Sequence, residues 1–577
     1  KMQYPLTEKI GHPDLLVGRQ NDFRKFDKWL SLIPMRMSKS RVILARRKSG
    51  KTAFVQRIFN RLWSENGAII PFYFDFAEKD IWYPDFAIGY FCTFVSHYIS
   101  FIERNDKWVN KPMLLEDILE YGLANSNSLL VDEVKSFHQN KKDGLHDAMW
   151  ERAYSAPHRF AALLDTRFLV ILDEFQNITQ YVYRRENGEG KPIESLAGSF
   201  HYHSESKIAP MLVTGSYVGW LLNVIGKYLE AGRLKHTSMS PYLTLDEGLE
   251  AVYKYAEFCQ ETIIDETAVL INRLCMADPF FISCVIQSDY EKKDLTTLDG
   301  VVDTVDYEIS DRQSEMSKTW NEYIQLTLQR VDDNRDAKNM LLHLSKYTER
   351  DWTPQELKEE LQLDIDINEI QKKLVILSEA DVIERGIADI DFRGLRDGTL
   401  NLILRNRFEK EIEGSAPELK QDFRDKIAVL KAKEQKLQGK LNQLSGKMAE
   451  HLLAIAFRRH RYFKLSDFFQ DVLDMARLNI VEVRERVIIQ RDDGKNMELD
   501  VVAKSKCGRV ILVEVKNTTD KIGLNLVETF QEKVEVYGKL FPDKKILPAF
   551  LSLAGFHTDA IKYCQVQGIG TADEIPM

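Results

Sequence analysis

Three short apolar runs in the first half of the chain stop abruptly at polar residues. They are Arg41-Val42-Ile43-Leu44, then Phe168-Leu169-Val170-Ile171-Leu172 before Asp173-Glu174, then Met211-Leu212-Val213-Thr214 before Gly215-Ser216. Unbroken apolar runs of this length predict strands buried on both faces of an α/β sheet, with a ligand at its carboxyl edge. Behind the first run, positions 52–62 carry apolar residues at helical spacing, so strand, turn and helix follow in succession.

The pattern changes further along. Thr353-Pro354-Gln355-Glu356 is a capping box with proline at the first helical position, which predicts a helix from Pro354. A second helix over 368–379 leads into Val382-Ile383-Glu384-Arg385-Gly386 and Ile390-Asp391-Phe392, the alternation of a small β-wing. Glu369, Lys372, Lys373 and Glu379 on that second helix nearly cancel in charge, which favours a packing or relay module over a DNA reader. Leu430, Leu437 and Leu444 recur every seven residues with Leu441 between, the pattern of a connector helix or short coiled coil. Near the end, 497–503 and 510–516 flank a polar turn and predict a hairpin.

Composition narrows the class. A chain of 577 residues exceeds one core, so three to four domains are expected. With 44% hydrophobic and 29% charged residues it has the balance of an ordinary globular protein. There is no apolar stretch of roughly 20 residues and no secretory pattern at the start, so no membrane partner and a cytoplasmic location are expected. The six cysteines, at 92, 259, 275, 284, 507 and 564, lack metal-site spacing and a disulfide framework. The net charge of −9 does not advertise a nucleic-acid binder, but 420–464 holds twelve Lys/Arg against four Asp/Glu. Such a stretch attracts phosphate backbones.

The candidate chemistry lies at the ends of those runs. Ala45-Arg46-Arg47-Lys48-Ser49-Gly50-Lys51-Thr52 fits the phosphate-cradling pattern G-x-x-x-x-G-K-[ST], with alanine in place of the first glycine. Ser49 and Gly50 belong to the cradle, Lys51 reaches the β- and γ-phosphates of ATP, and the Thr52 hydroxyl ligates Mg²⁺. Asp173 would hold that ion through water, Glu174 would orient the attacking water, and Ser216 would sense the γ-phosphate. With Val17-Gly18-Arg19 upstream, these residues resemble the archaeal-type ATPase family within the AAA-like and STAND ATPases, over about residues 15–290. The resemblance implies that Gly18 and Arg19 lie near the base and that Arg233 is a γ-phosphate contact. Asp278-Pro279-Phe280-Phe281 is similar to the family's Pro-aromatic stretch in a helical lid.

In the terminal hairpin, side chains two apart share a face, so Glu498 and Asp500 point one way and Glu514 and Lys516 likewise. Folding about the turn brings carboxylates around one divalent ion with an ammonium beside them, the chemistry of phosphodiester hydrolysis. Asp500 and Glu514 would bind Mg²⁺, and Lys516 would place the water or steady developing charge. Glu450, on an amphipathic helix upstream, is a further candidate ligand, and Gln531 and Lys533 lie on a segment predicted to approach the cleft. The block resembles the PD-(D/E)xK nuclease superfamily, most like its Mrr and resolvase branches.

The sequence therefore predicts an α/β multidomain chain: a P-loop ATPase core at 15–240, a helical lid at 241–334, a winged helix at 335–412, a connector at 413–446 and a nuclease domain at 447–577. The expected function is a nucleotide-regulated, Mg²⁺-dependent nuclease acting on DNA before RNA, in a setting such as genome defence or mobile-element control. The alternative is a regulatory ATPase that binds DNA or a protein partner and uses the C-terminal fold only for recognition. A homo-oligomer and a protein activator stay open as partners.

Overall fold

The computed structural model describes residues 2–229, 232–329, 331, 334–386, 390–395, 398–414, 419–425, 427–429, 447–517 and 520–575. The chain divides into two compact units, Lys1–Gln421 and Asp422–Met577. Leu430, Leu437, Leu441 and Leu444 of the expected connector lie outside the described residues. Among the described residues no helix is long and apolar enough to cross a membrane.

The first half of unit 1 contains β1 (Arg41–Leu44), β2 (Ile69–Asp75), β3 (Ile81–Trp82), β4 (Arg167–Asp173), β5 (Val182–Tyr183), β6 (Met211–Thr214) and β7 (Lys235–Ser238). β3 and β5 pair with each other. The other five form one parallel sheet in the order β2-β4-β6-β1-β7. Strands β1, β4 and β6 lie where the apolar runs predict them. The two outer strands complete the sheet: β2 accommodates Pro71 because an edge strand has a side free of ladder bonds, and β7 is too polar and exposed to leave an apolar signal.

Helices Lys51–Glu65, Tyr83–Glu103 and His146–Leu164 cover this sheet. Phe54, Phe59, Phe72, Tyr90, Phe94, Phe160 and Phe168 are fully buried in one continuous core. Each such side chain stabilises the unit by about 1.5–3 kcal/mol relative to exposure. Five helices follow, Leu245–Cys259, Asp265–Leu274, Pro279–Ile286, Leu298–Ser310 and Glu315–Gln329. Next come helices Asn334–Lys346, Pro354–Leu361 and Ile367–Glu379, the antiparallel pair β8 (Ile383–Arg385) and β9 (Phe392–Gly394), and helix Gly398–Phe408. The capping box is made as predicted: the Glu356 N–H donates to Thr353 Oγ1 at 3.2 Å and the Thr353 N–H to Glu356 Oε2 at 2.8 Å. Lys373 is buried with Ile370, Leu374 and Leu377 on the inner face of its helix, so it is not presented as a basic reading surface.

Unit 2 is a mixed sheet with strands in sequence order: β10 (Tyr462–Lys464), β11 (Arg477–Gln490), β12 (Asn496–Ser505), β13 (Arg509–Lys516), β14 (Lys545–Ser552) and β15 (Gly570–Ala572). The β12–β13 hairpin is the expected one, extended by a few residues. β14 lies parallel to β13 because helix Leu524–Leu540 carries the chain back across the sheet. Helix Lys447–Arg459 contributes Leu453 and Phe457 to a core with Val501, Val513 and Val515. Val527 and Phe530 of helix Leu524–Leu540 join Leu512 and Phe550 in a second core. The hairpin strands are therefore covered on both faces, and Glu498, Asp500, Glu514 and Lys516 lie at the end away from the turn.

Candidate functional site

β1 ends at Leu44, and the chain turns through Lys48, Ser49 and Gly50 into helix Lys51–Glu65. Gly50 precedes the helix at φ 82°, in the left-handed region, while a Cβ there would meet nothing within 4 Å. The position calls for glycine because of its backbone conformation and not for lack of room. Ala45 has no positive φ and its methyl group is buried in the core, so alanine suits the place of the first glycine. The Ser49 hydroxyl is buried with no hydrogen-bond partner among the described residues, as expected of a cradle that receives an anion. Thr52 is half-buried in the first turn of the helix.

Lys51 is 4% exposed, and its ammonium lies 3.1 Å from Ser216 Oγ and 3.7 Å from Glu174 Oε1. Glu174 accepts from the Ser216 N–H at 3.0 Å, from its hydroxyl, and from Gln176 Nε2 at 2.7 Å. Burial alone would raise the Glu174 pKa, but Lys51 and these donors outweigh it and hold the carboxyl below its ordinary value. Asp173 is fully buried and accepts from the Tyr73 hydroxyl at 3.0 Å and from the Thr214 hydroxyl. Asp75 stands opposite Asp173 across the β2–β4 register, so burial chiefly, and Asp173 further, raise its pKa against the pull of Lys9. The carboxyl ends of β2, β4 and β6 thus bring Asp75, Asp173, Glu174 and Ser216 to one edge, beside the strand from which the cradle and Lys51 spring.

Basic residues frame the loop. Arg19, 6% exposed, donates to the Ser49 carbonyl at 2.7 Å and to the Ser240 carbonyl, so it braces the cradle itself. Gly18 has φ 71°, and a Cβ there would press on Glu247. Arg46 reaches Asp278 Oδ2 at 2.6 Å, and its guanidinium lies 5.0 Å from the Trp320 ring centre. Asp278 also caps helix Pro279–Ile286 by accepting from the Phe280 N–H at 3.0 Å. Lys48 sits 4.9 Å from the Phe280 ring centre. Arg233 pairs with Glu205 at 2.8 Å.

In unit 2, Asp500 and Glu514 are buried on adjacent strands. Asp500 accepts from the Val515 N–H at 2.8 Å. Lys516 Nζ lies 2.7 Å from Glu514 Oε1 and 3.5 Å from Asp500 Oδ2, and Lys533 reaches Glu514 Oε2 at 2.7 Å. Burial would lower the Lys516 pKa, but Glu514 and Asp500 raise it overall. Glu450, on helix Lys447–Arg459, pairs with Arg486 at 3.1 Å. Burial raises the Glu450 pKa, Arg486 opposes this, and the charges of Asp500 and Glu498 add to it. Two lysines pair with Glu514 and Arg486 pairs with Glu450, and these four carboxylates do not converge three to a single point. Their oxygen donors suit a hard ion such as Mg²⁺.

The structure thus joins Ser49, Gly50, Lys51, Asp173, Glu174 and Ser216 at one edge, with Arg19 behind the loop. It joins Asp500, Glu514 and Lys516 in a second place, with Glu450 and Glu498 close enough to act on each other electrostatically. The sequence reading missed Tyr73, Asp75 and the Arg46–Asp278 pair. Asp278 was readable as a helix cap before proline, but its partner lies 232 residues away.

Strand, cradle and helix on a parallel sheet make unit 1 an α/β P-loop ATPase fold. No protein-family model matches the chain, and no curated protein matches it. Among solved structures it is similar to a Walker-type ATPase of Pyrococcus abyssi at 16% identity, covering 70% of this chain and 98% of that one, with a TM-score of 0.43. It is similar to the Aeropyrum pernix ORC2 protein at 12% identity, covering 69% and 95%, with a TM-score of 0.36. It is also similar to a chain of Drosophila ORC bound to DNA at 11% identity, covering 69% and 88%, with a TM-score of 0.32. These comparisons lend no support to a nuclease, to the STAND class or to a role in defence, and scores this low leave the chemistry to be argued from the residues themselves.

Proposed function

We propose that this chain binds and hydrolyses ATP at the cradle of unit 1 and works on or with nucleic acid, DNA before RNA. The observation that carries the reading is the Lys51–Ser216–Glu174 cluster beside a cradle whose buried Ser49 hydroxyl has no partner among the described residues. Lys51 would exchange Ser216 and Glu174 for phosphate oxygens. Glu174, held ionised, would orient water and accept its proton. Mg²⁺, when held by Thr52 and through water by Asp173, would offset phosphate charge. Gly18 and Arg19 would act by fixing the loop, and Arg233 would first have to leave Glu205 to reach a phosphate.

For unit 2 we infer a metal-dependent nuclease of the PD-(D/E)xK kind, supported by Asp500, Glu514 and Lys516 meeting at the end of a buried hairpin. Mg²⁺ at Asp500 and Glu514, with Glu450 and Glu498 alongside, would polarise the scissile phosphate. Lys516 would hold the water or the developing charge. One observation favours the alternative, a regulatory ATPase that binds DNA or a protein partner and uses unit 2 only for recognition: Glu514 is already matched by two ammonium groups. The proposed domain limits stay at 15–240, 241–334, 335–412, 413–446 and 447–577. A cytoplasmic location, a homo-oligomer and a protein activator are compatible with either reading.

Cleavage of supercoiled plasmid and labelled single strands with Mg²⁺, with and without ATP, tests both. Cutting that disappears in Lys516→Ala while ATP hydrolysis persists supports the nuclease. ATP hydrolysis with no cutting and intact DNA binding assigns unit 2 to recognition, and no nucleotide binding at all defeats the whole proposal.

A further inference from the structure

A carboxylate from the later part of unit 1 sits on the nucleotide machinery. Asp381, two residues past helix Ile367–Glu379, accepts from the backbone N–H groups of Val218 at 2.6 Å and Gly219 at 3.2 Å. These are the first residues of helix Val218–Tyr228, which begins two positions after Ser216. The start of a helix presents N–H groups and positive potential to an anion, and here the chain supplies that anion itself.

The contact is built from several elements. A Cβ on Gly219 would fall 2.2 Å from Glu379 Cα, so the two segments meet backbone to backbone and only glycine fits. The Tyr323 hydroxyl donates to the Ala380 carbonyl, and its ring stacks on Tyr217 at 5.4 Å between centres. Tyr217 in turn accepts from Arg47 of the cradle at 3.3 Å. Asp381 itself adopts φ 58°, an uncommon conformation for a residue with a side chain. Burial pushes its carboxyl up to about 7, against the pull of the Val218 and Gly219 amides and of Lys51.

We propose that Asp381 is a nucleotide-state latch, holding the 367–386 segment on the start of helix Val218–Tyr228 until the terminal phosphate of a nucleoside triphosphate arrives at Lys51 and Ser216. The proposal rests on the nucleotide-binding reading of the cradle. Phosphate at Lys51 occupies the cation that helps to hold Asp381 and brings negative charge toward a buried carboxylate. The charged carboxylate then leaves its buried place for solvent and releases the two amides. A diphosphate lacks that terminal charge and leaves the latch closed. By linkage, what ATP does to the latch the latch does to ATP, so removing the Asp381 charge favours triphosphate over diphosphate.

The test uses the full chain with ADP and with a non-hydrolysable ATP analogue. Hydrogen exchange at the Val218 and Gly219 amides is expected to be about fivefold faster or more with the triphosphate, the lower end of ordinary coupling. In Asp381→Asn the affinity ratio of triphosphate to diphosphate is expected to rise by about fivefold or more. Asp381→Glu, which keeps the charge, is expected to stay closer to the wild-type ratio than Asp381→Asn. Equal exchange with the two nucleotides, or an unchanged ratio in Asp381→Asn, overturns the latch while leaving nucleotide binding intact. Wild-type protein that binds neither nucleotide overturns the latch together with the reading beneath it. If Asp381→Asn does not fold, the wild-type exchange comparison decides alone.

Discussion

The cradle of unit 1 and the cleft of unit 2, the two places proposed for phosphate chemistry, differ in their electrostatics. In the cradle the key cation, Lys51, is hydrogen-bonded to a neutral hydroxyl and stands 3.7 Å from its nearest carboxylate partner. In the cleft the key anion, Glu514, is in direct contact with two ammonium groups. On that proposal an arriving triphosphate would displace Ser216 and the more distant Glu174 from Lys51, whereas an arriving divalent ion would have to compete with Lys516 and Lys533 for Glu514. The difference teaches that the cation of the first site is only loosely paired, as a preorganised phosphate site would require, while the anion of the second is already charge-compensated. The same comparison holds for the braces: Arg19 and the Arg46–Asp278 pair fix the loop from behind, while Arg486 lies on the cleft's own carboxylate.

The sharpest way to break this comparison is to empty each site separately. Lys51→Ala is expected to lower ATP hydrolysis by about 10²–10³ while Mn²⁺ uptake by unit 2 is unchanged. Asp500→Asn is expected to lower plasmid cleavage by about a hundredfold or more with ATP turnover intact. If either substitution abolishes both activities, the two sites are not separate. Next in size, Asp278→Ala leaves Arg46 without that buried carboxylate, and urea unfolding of unit 1 should report a loss of about 3–5 kcal/mol.

A smaller effect follows from Asp381. Its folded-state pKa of about 7 stands above the ordinary 3.8, so the native state holds the proton more tightly than the unfolded chain. Its contribution to stability is fully present below the unfolded value and is lost as pH rises through about 7. Thermal unfolding at pH 5 and pH 8 should show this, with Asp381→Asn reducing the pH difference by about 3 °C or more. An equal difference in wild type and variant would place the titration in another group. The smallest expected change is Thr353→Ala, which removes one cap acceptor and should cost about 1 kcal/mol in the same unfolding measurement.

Much of the fold was legible, for reasons that differ by element. β1, β4 and β6 stood out because strands buried on both faces need unbroken apolar runs, and the Thr353 box stood out because a helix start must satisfy its own N–H groups. β7 was invisible because Lys235, His236, Thr237 and Ser238 are mostly exposed and carry no apolar period. β11 was missed although Leu478 and Ile480 alternate with more exposed neighbours, since a bulge between Ile480 and Glu482 shifts the register that periodicity depends on. At the sites, Gly50, Lys51, Asp173, Asp500 and Lys516 were legible as residue types at fixed spacing. Arg46–Asp278 and Asp381 were not, because each bond joins elements more than 160 residues apart.

By itself the sequence determined where the residues proposed to handle phosphate lie and which turn presents them, since a glycine and lysine after an apolar run and a carboxylate ending an apolar strand are local facts. Only the tertiary structure decided what those residues hold before any ligand arrives: Lys51 on Ser216, Glu514 between two lysines, Asp381 on the start of another helix. The reason is physical. Local pattern is set by sterics and burial within a few residues, whereas charge pairing is settled by proximity in space, where burial and neighbouring charge act on every group at once.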